Sequence, residues 1–105
     1  MEVIENLGDQ SGYEKLAPTT STGFTSTLIT PTSGTYKNMS AQAVMIGVET
    51  HPIRFRLDGT APTAAEGLLL NANNYYTIIG ELNVKNFHCI DTAAGASSVK
   101  CLFFF

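Results

Sequence analysis

The side chains in this 105-residue chain that could perform covalent or acid–base chemistry are few: two histidines, two cysteines and nine carboxylates. Cys89 follows His88 directly, and on an extended strand neighbouring side chains point to opposite faces. A thiol nucleophile and an imidazole base are therefore poorly placed to work together there. No G-x-S-x-G elbow raises a serine for attack. His51 stands before Pro52 and reads as a solvated turn residue, while His88 reads as a partly buried, hydrogen-bonded strand residue. Metal ligation fares no better, since neither CxxC spacing nor a matching histidine cluster occurs. Asp58, Glu66 and Asp91 could gather at loops around a cation, but the segment DGTAPTAAEG brings only two carboxylates, fewer oxygens than calcium takes. Paired glycosidase carboxylates lack an aromatic platform, there being no Trp. The expectation is a non-enzymatic protein without cofactor or metal.

Binding is the better-supported chemistry. Arg54 and Arg56 alternate with Ile53, Phe55 and Leu57, so both guanidiniums belong to one strand face and can offer bidentate contacts to a partner's carboxylates. The competing reading is a solvated face with the arginine stems laid over their neighbours. Phe103, Phe104 and Phe105 are the second candidate. Strand geometry divides consecutive rings between two faces, so at least one is expected to be exposed or inserted into another subunit, unless the triplet caps the bottom of the fold. Tyr75 and Tyr76 could line a shallow carbohydrate or receptor groove. Phe55, Tyr75 and Phe87 could stack bases in the manner of an OB-fold, although the acidic balance opposes it.

A net charge of −3, with only six scattered Lys and Arg, gives no basic footprint for nucleic acid. The opening MEVIENLGDQ is acidic and lacks the cationic and apolar regions of a signal peptide, and no apolar run approaches the ~20 residues that cross a bilayer. Synthesis in a cytoplasm is expected, where Cys89 and Cys101 stay free thiols unless the last two strands pair and let them face each other. The Asn38-Met39-Ser40 sequon is then a coincidence. Charged residues make up only 14% of the chain, and threonine, serine, alanine, glycine and asparagine take their place, which fits β-structure and a surface covered by neighbours.

The elements that position these residues are read as strands. Residues 41–50, AQAVMIGVET, put Val44, Ile46 and Val48 on one face and Ala43, Met45 and Gly47 on the other. With both faces apolar, a central position or an intersubunit contact is expected, and Gly47 implies a bulge or a close approach. Thr50-His51-Pro52 connects to the arginine strand, and the two are expected to pair as a hairpin. Asp58-Gly59 turns the chain, Pro62 and Gly67 bound an ordered loop, and Leu68 to Leu70 re-enter the core. Further strands are expected around Phe24 to Ile29, Tyr75 to Ile79, Asn83 to Ile90 and Ser98 to Phe104, with Val99, Cys101 and Phe103 sharing a face. Residues 1–22 read as an irregular arm with one helical turn on Val3, Ile4 and Leu7, docking on a neighbouring subunit or disordered. Residues 23–105 form one all-β domain, a single antiparallel β-sandwich of jelly-roll type.

The segment with Ile53, Arg54, Phe55, Asp58, Gly59, Pro62, Thr63 and Gly67, followed by an apolar strand and a C-terminal strand ending in aromatics, resembles small β-sandwich accessory proteins of tailed-phage virions. Those are capsid decoration (cement) or head-fibre proteins, and the likeness covers the C-terminal half of the chain. It implies a structural protein on the virion capsid surface, with the major capsid protein as partner and a homo-oligomer, a trimer at local three-fold positions, as its state. The competing implication is a carbohydrate- or receptor-binding module of a head fibre or tail. Neither nucleic acid nor membrane is an expected partner.

Overall fold

Alternation of apolar and polar residues every second position builds most of this molecule. The computed structural model describes residues 7–93 and 97–105. In chain order it contains β1 (Gln10–Leu16), α1 (Ser26–Ile29), β2 (Ala43–Glu49), β3 (Ile53–Arg56), β4 (Leu68–Leu70), β5 (Tyr75–Ile79), α2 (Glu81–Asn86), β6 (His88–Asp91) and β7 (Ser98–Phe104). The fold is mostly β: seven strands in two antiparallel sheets, one of four strands ordered β1-β7-β2-β5 and one of three ordered β4-β3-β6. Residues 18–22 run beside β6, joined to it through the Thr22–Cys89 bridge and the Asp91 N–H to Pro18 carbonyl bond of 2.9 Å.

The inward rows of both sheets meet in one core. Val44, Ile46 and Val48 of β2, Val99, Cys101 and Phe103 of β7, and Ile78 of β5 come from one sheet; Ile53, Phe55 and Cys89 come from the other. Each fully buried aliphatic or aromatic side chain of this kind contributes about 1.5–3 kcal/mol. Phe87, at the end of α2, stacks on Phe24 at 4.5 Å between ring centroids and closes one end of this core. A second, smaller cluster of Leu7, Ala43 and Phe104, with Met45 against it, covers part of the opposite face of the four-stranded sheet.

Several expectations are corrected. β2 and β3 do not form a hairpin: Thr50, at a φ of 79°, and His51-Pro52 turn the chain from one sheet into the other. β6 and β7 likewise lie in different sheets, so the pairing that would have aligned Cys89 with Cys101 is absent and both thiols are free and buried. Gln10–Leu16, placed in an irregular arm by the sequence reading, is a strand along β7 whose register shifts between Gln10 and Tyr13, next to Gly12. That irregularity hid its alternation. The helical turn expected on Val3, Ile4 and Leu7 involves residues outside those described, apart from Leu7.

Two expected strand segments are helical. Leu28 and Ile29 both rest against the core, which adjacent residues of a strand cannot do, and a turn from Ser26 to Ile29 achieves it. The first part of the strand expected over 83–90 instead belongs to the helix Glu81–Asn86, in which only Val84 is buried and Glu81 and Lys85 sit at the ends that suit their charges. No helix among the described residues is long and apolar enough to cross a membrane.

Candidate interaction surface

The strand alternation of β3 turns Arg54 and Arg56 outward, as the sequence implies, but neither guanidinium is left free for a partner. Arg54 donates from Nε to the Ala64 carbonyl at 3.1 Å and from Nη1 to the Gly67 carbonyl at 2.9 Å. It thereby fastens the 57–67 loop to the sheet. Gly67 lies against this strand at a φ of 131°, and a Cβ there would come within 3.1 Å of the Phe55 carbonyl, so the close approach requires glycine. Arg56 makes a forked contact with Asp58, 3.1 Å from Nε and 2.5 Å from Nη2. The Arg56 fork and the Thr60 N–H hold the Asp58 carboxyl below its ordinary range, and Asp58 in turn raises Arg56. The pair is exposed, so it orients side chains more than it stabilises the fold.

The aromatic triplet corrects a second expectation, for all three rings are buried within the chain itself. Phe103, Phe104 and Phe105 are 0%, 4% and 9% exposed. Phe103 points into the main core, edge-on to Phe24. Phe104 points to the other face, where Leu7 covers it. Phe105 lies past the end of β7 and escapes the alternation; it stacks on Tyr36 at 5.0 Å and exchanges backbone hydrogen bonds with Asp9. The Tyr36 hydroxyl donates to Asp9 at 2.9 Å, and that bond raises its pKa. Coverage by residues distant in the chain is what the sequence reading could not see.

A different surface is left open. The outward side chains of the four-stranded sheet form rows across β1, β7, β2 and β5: Tyr13, Leu102, Met45 and Thr77 in one, and Lys15, Lys100, Gly47 and Tyr75 in the next. Tyr13 is 54% exposed, Tyr75 75% and, at the β5 end of the face, Ile79 61%. The Tyr75 ring lies over Gly47, where a Cβ would come within 2.8 Å of it, so Gly47 provides a close approach as its place in a strand suggested. Lys100 is paired with Glu49 at 2.5 Å. The second apolar face of residues 43–47 was legible in the sequence; the rows that flank it from β1, β5 and β7 were not.

The other candidates separate. Tyr75 and Tyr76 fall on opposite faces of β5, and Tyr76 packs on Phe55 at 5.0 Å, so they do not line one groove. Phe55 and Phe87 are buried and unavailable for stacking bases. Among the described residues no group of three or more His, Cys, Asp or Glu could hold a metal, and Asp58, Glu66 and Asp91 do not converge. Asp91 is instead a buried loop anchor. The Ser97 hydroxyl donates to it at 2.6 Å, and the N–H groups of Ala93 and Ser97 add bonds of 3.1 and 3.0 Å. Burial pushes the Cys89 thiol up to about 12 and Cys101 in the same direction, which suits packing and opposes thiolate chemistry. A groove of about 640 Å³ opens between α1 and α2, over Phe24, Ile29 and Val84. Compared with models of known protein families, with curated proteins and with solved structures, the chain matches none.

Proposed function

We propose that this chain is a non-enzymatic structural protein of a tailed-phage particle, a decoration or cement protein that works by docking. The observation that carries the reading is the outward face of the four-stranded sheet, where Tyr13, Met45, Tyr75, Ile79 and Leu102 leave apolar surface in contact with water. A contiguous apolar face of this kind is most economically explained as a surface that another molecule covers. The finer fold reading belongs to the same proposal: a jelly-roll β-sandwich. It is supported by the order β1-β7-β2-β5 against β4-β3-β6, with residues 18–22 beside β6 in the place of an eighth strand. Jelly rolls serve in viral capsids and in lectins, which is an analogy of fold and not of site.

In this reading the chain is made in the host cytoplasm and comes to rest on the virion surface, against the major capsid protein and other copies of itself. Repetition over the particle multiplies individually weak contacts. Phe103 to Phe105 act from within, holding the sheet that presents the surface, while Arg54 secures the 57–67 loop on the other sheet. Quantitative proteomics of purified virions tests this. A copy number comparable with that of the major capsid protein supports it; absence of the chain from particles that infect normally overturns it.

A further inference from the structure

We propose that the partner of this sheet face is a second copy of the chain, docked face to face about a two-fold axis running along the strands between β7 and β2. The inference deepens the docking reading above and rests on it. The charges on the face limit what can cover it. Lys100 is neutralised by Glu49, and Lys15 has no ion pair among the described residues. A single cation without an ion pair among the described residues of this face, on a chain of net charge −3, is too little to hold a nucleic acid or an anionic membrane. The central row of Tyr13, Leu102, Met45 and Thr77 presents few directed donors for a sugar and suits the apolar side chains of a protein.

Among proteins, a second copy is complementary to what is there. The chosen axis lays β1 of each copy over β5 of the other. Lys15 then meets the second copy's Tyr75, a cation over an exposed ring, and this contact occurs twice. Leu102 meets Met45, and Tyr13 meets Thr77. The two Lys15 ammonium groups stay at least about 14 Å apart, three strand spacings, which exceeds the ~8 Å Debye length at physiological salt. An in-plane axis across the strands would instead stack β1 on β1 and bring the lysines of the two copies together. Three strands of seven residues and one of five, about 4.8 Å apart, cover about 420 Å² in projection, with Leu7 already lying over the end at Ala43 and Phe104, and the accessible area of a side-chain-covered face is larger. That approaches the ~600 Å² per partner at the low end of specific interfaces.

The test uses the purified full chain alone, so it is independent of whether virions contain it. Sedimentation equilibrium from about 1 µM to about 1 mM covers the affinities such an area supports. The expected apparent mass rises from 11.3 kDa to twice that value. Tyr75→Ala and, separately, Lys15→Glu should each raise the dissociation constant at least about 10-fold with unchanged circular dichroism. The geometry is read with a bismaleimide spanning about 10 Å, the distance between stacked sheets. A mixture of Lys15→Cys and Tyr75→Cys chains should link, whereas Lys15→Cys alone should not; the native thiols, both 0% exposed, do not compete. A chain that stays at 11.3 kDa throughout overturns the proposal. So does a dimer indifferent to both substitutions, and so does linkage of Lys15→Cys to itself.

Discussion

Arg54 and Arg56 look equivalent in the sequence, and the fold gives them different tasks that mutation can separate. Arg54→Met keeps the apolar stem and removes the two bonds to the carbonyls of Ala64 and Gly67. The Gly67 bond is partly shielded and is assigned about 1.5 kcal/mol; the Ala64 bond is exposed and is assigned about 0.5 kcal/mol. The sum is about 2 kcal/mol. At roughly 2.1 cal/mol/K of unfolding entropy per residue, a chain of 105 residues loses about 9 °C of Tm for that change. Arg56→Met removes only an exposed pair with Asp58, and Tm should stay within about 2 °C of the parent. Thermal unfolding followed by circular dichroism measures both, and limited proteolysis should show faster cleavage within residues 58–67 for Arg54→Met alone. Equal Tm shifts for the two variants would refute the division of labour. Replacing both Arg54 and Arg56 by glutamate would consequently probe partner binding poorly, because it unfastens the loop as well as reversing charge.

Three further outcomes are expected. Ser97→Ala deprives the buried Asp91 carboxylate of its 2.6 Å donor and should cost about 1–3 kcal/mol in denaturant unfolding; an unchanged midpoint would show that the hydroxyl is not an anchor. Cys89, raised from 9.0 to about 12, binds its proton more tightly folded than unfolded, so stability is full below pH 9 and falls as pH rises from 9 toward 12. A Cys89→Ala chain should lose part of that decline, and a flat urea midpoint across the window for the parent chain contradicts the assignment. Gly47→Ala places a methyl group 2.8 Å from the resting position of the Tyr75 ring; that ring is 75% exposed and swings aside into solvent, so stability should change by less than about 1 kcal/mol while the near-ultraviolet tyrosine signal alters. An unperturbed tyrosine signal would mean that the ring does not rest there.

What the amino-acid order alone determined is the local alternation. It marks Ile53 and Phe55 as inward and Arg54 as outward, aligns Val99, Cys101 and Phe103, and reveals the doubly apolar stretch from Ala43 to Val48. Period-two patterning is a property of neighbours in the chain, so it survives without coordinates. The tertiary structure decided which strands are neighbours in space, and everything functional follows from that. Whether residues 50–52 make a hairpin or a crossing between sheets depends on the partners β7 and β5 bring to β2, more than 20 residues away in the chain. The same long-range pairing buries Phe104 under Leu7, sets Phe105 on Tyr36, and lines Tyr13, Leu102, Met45 and Tyr75 along one open face, whereas the arginines are occupied locally, Arg56 by Asp58 two residues on and Arg54 by the loop that follows its strand. Burial is a collective property of residues that meet only when the chain has closed on itself, which is why the proposed docking surface could be named only after the sheets were assembled.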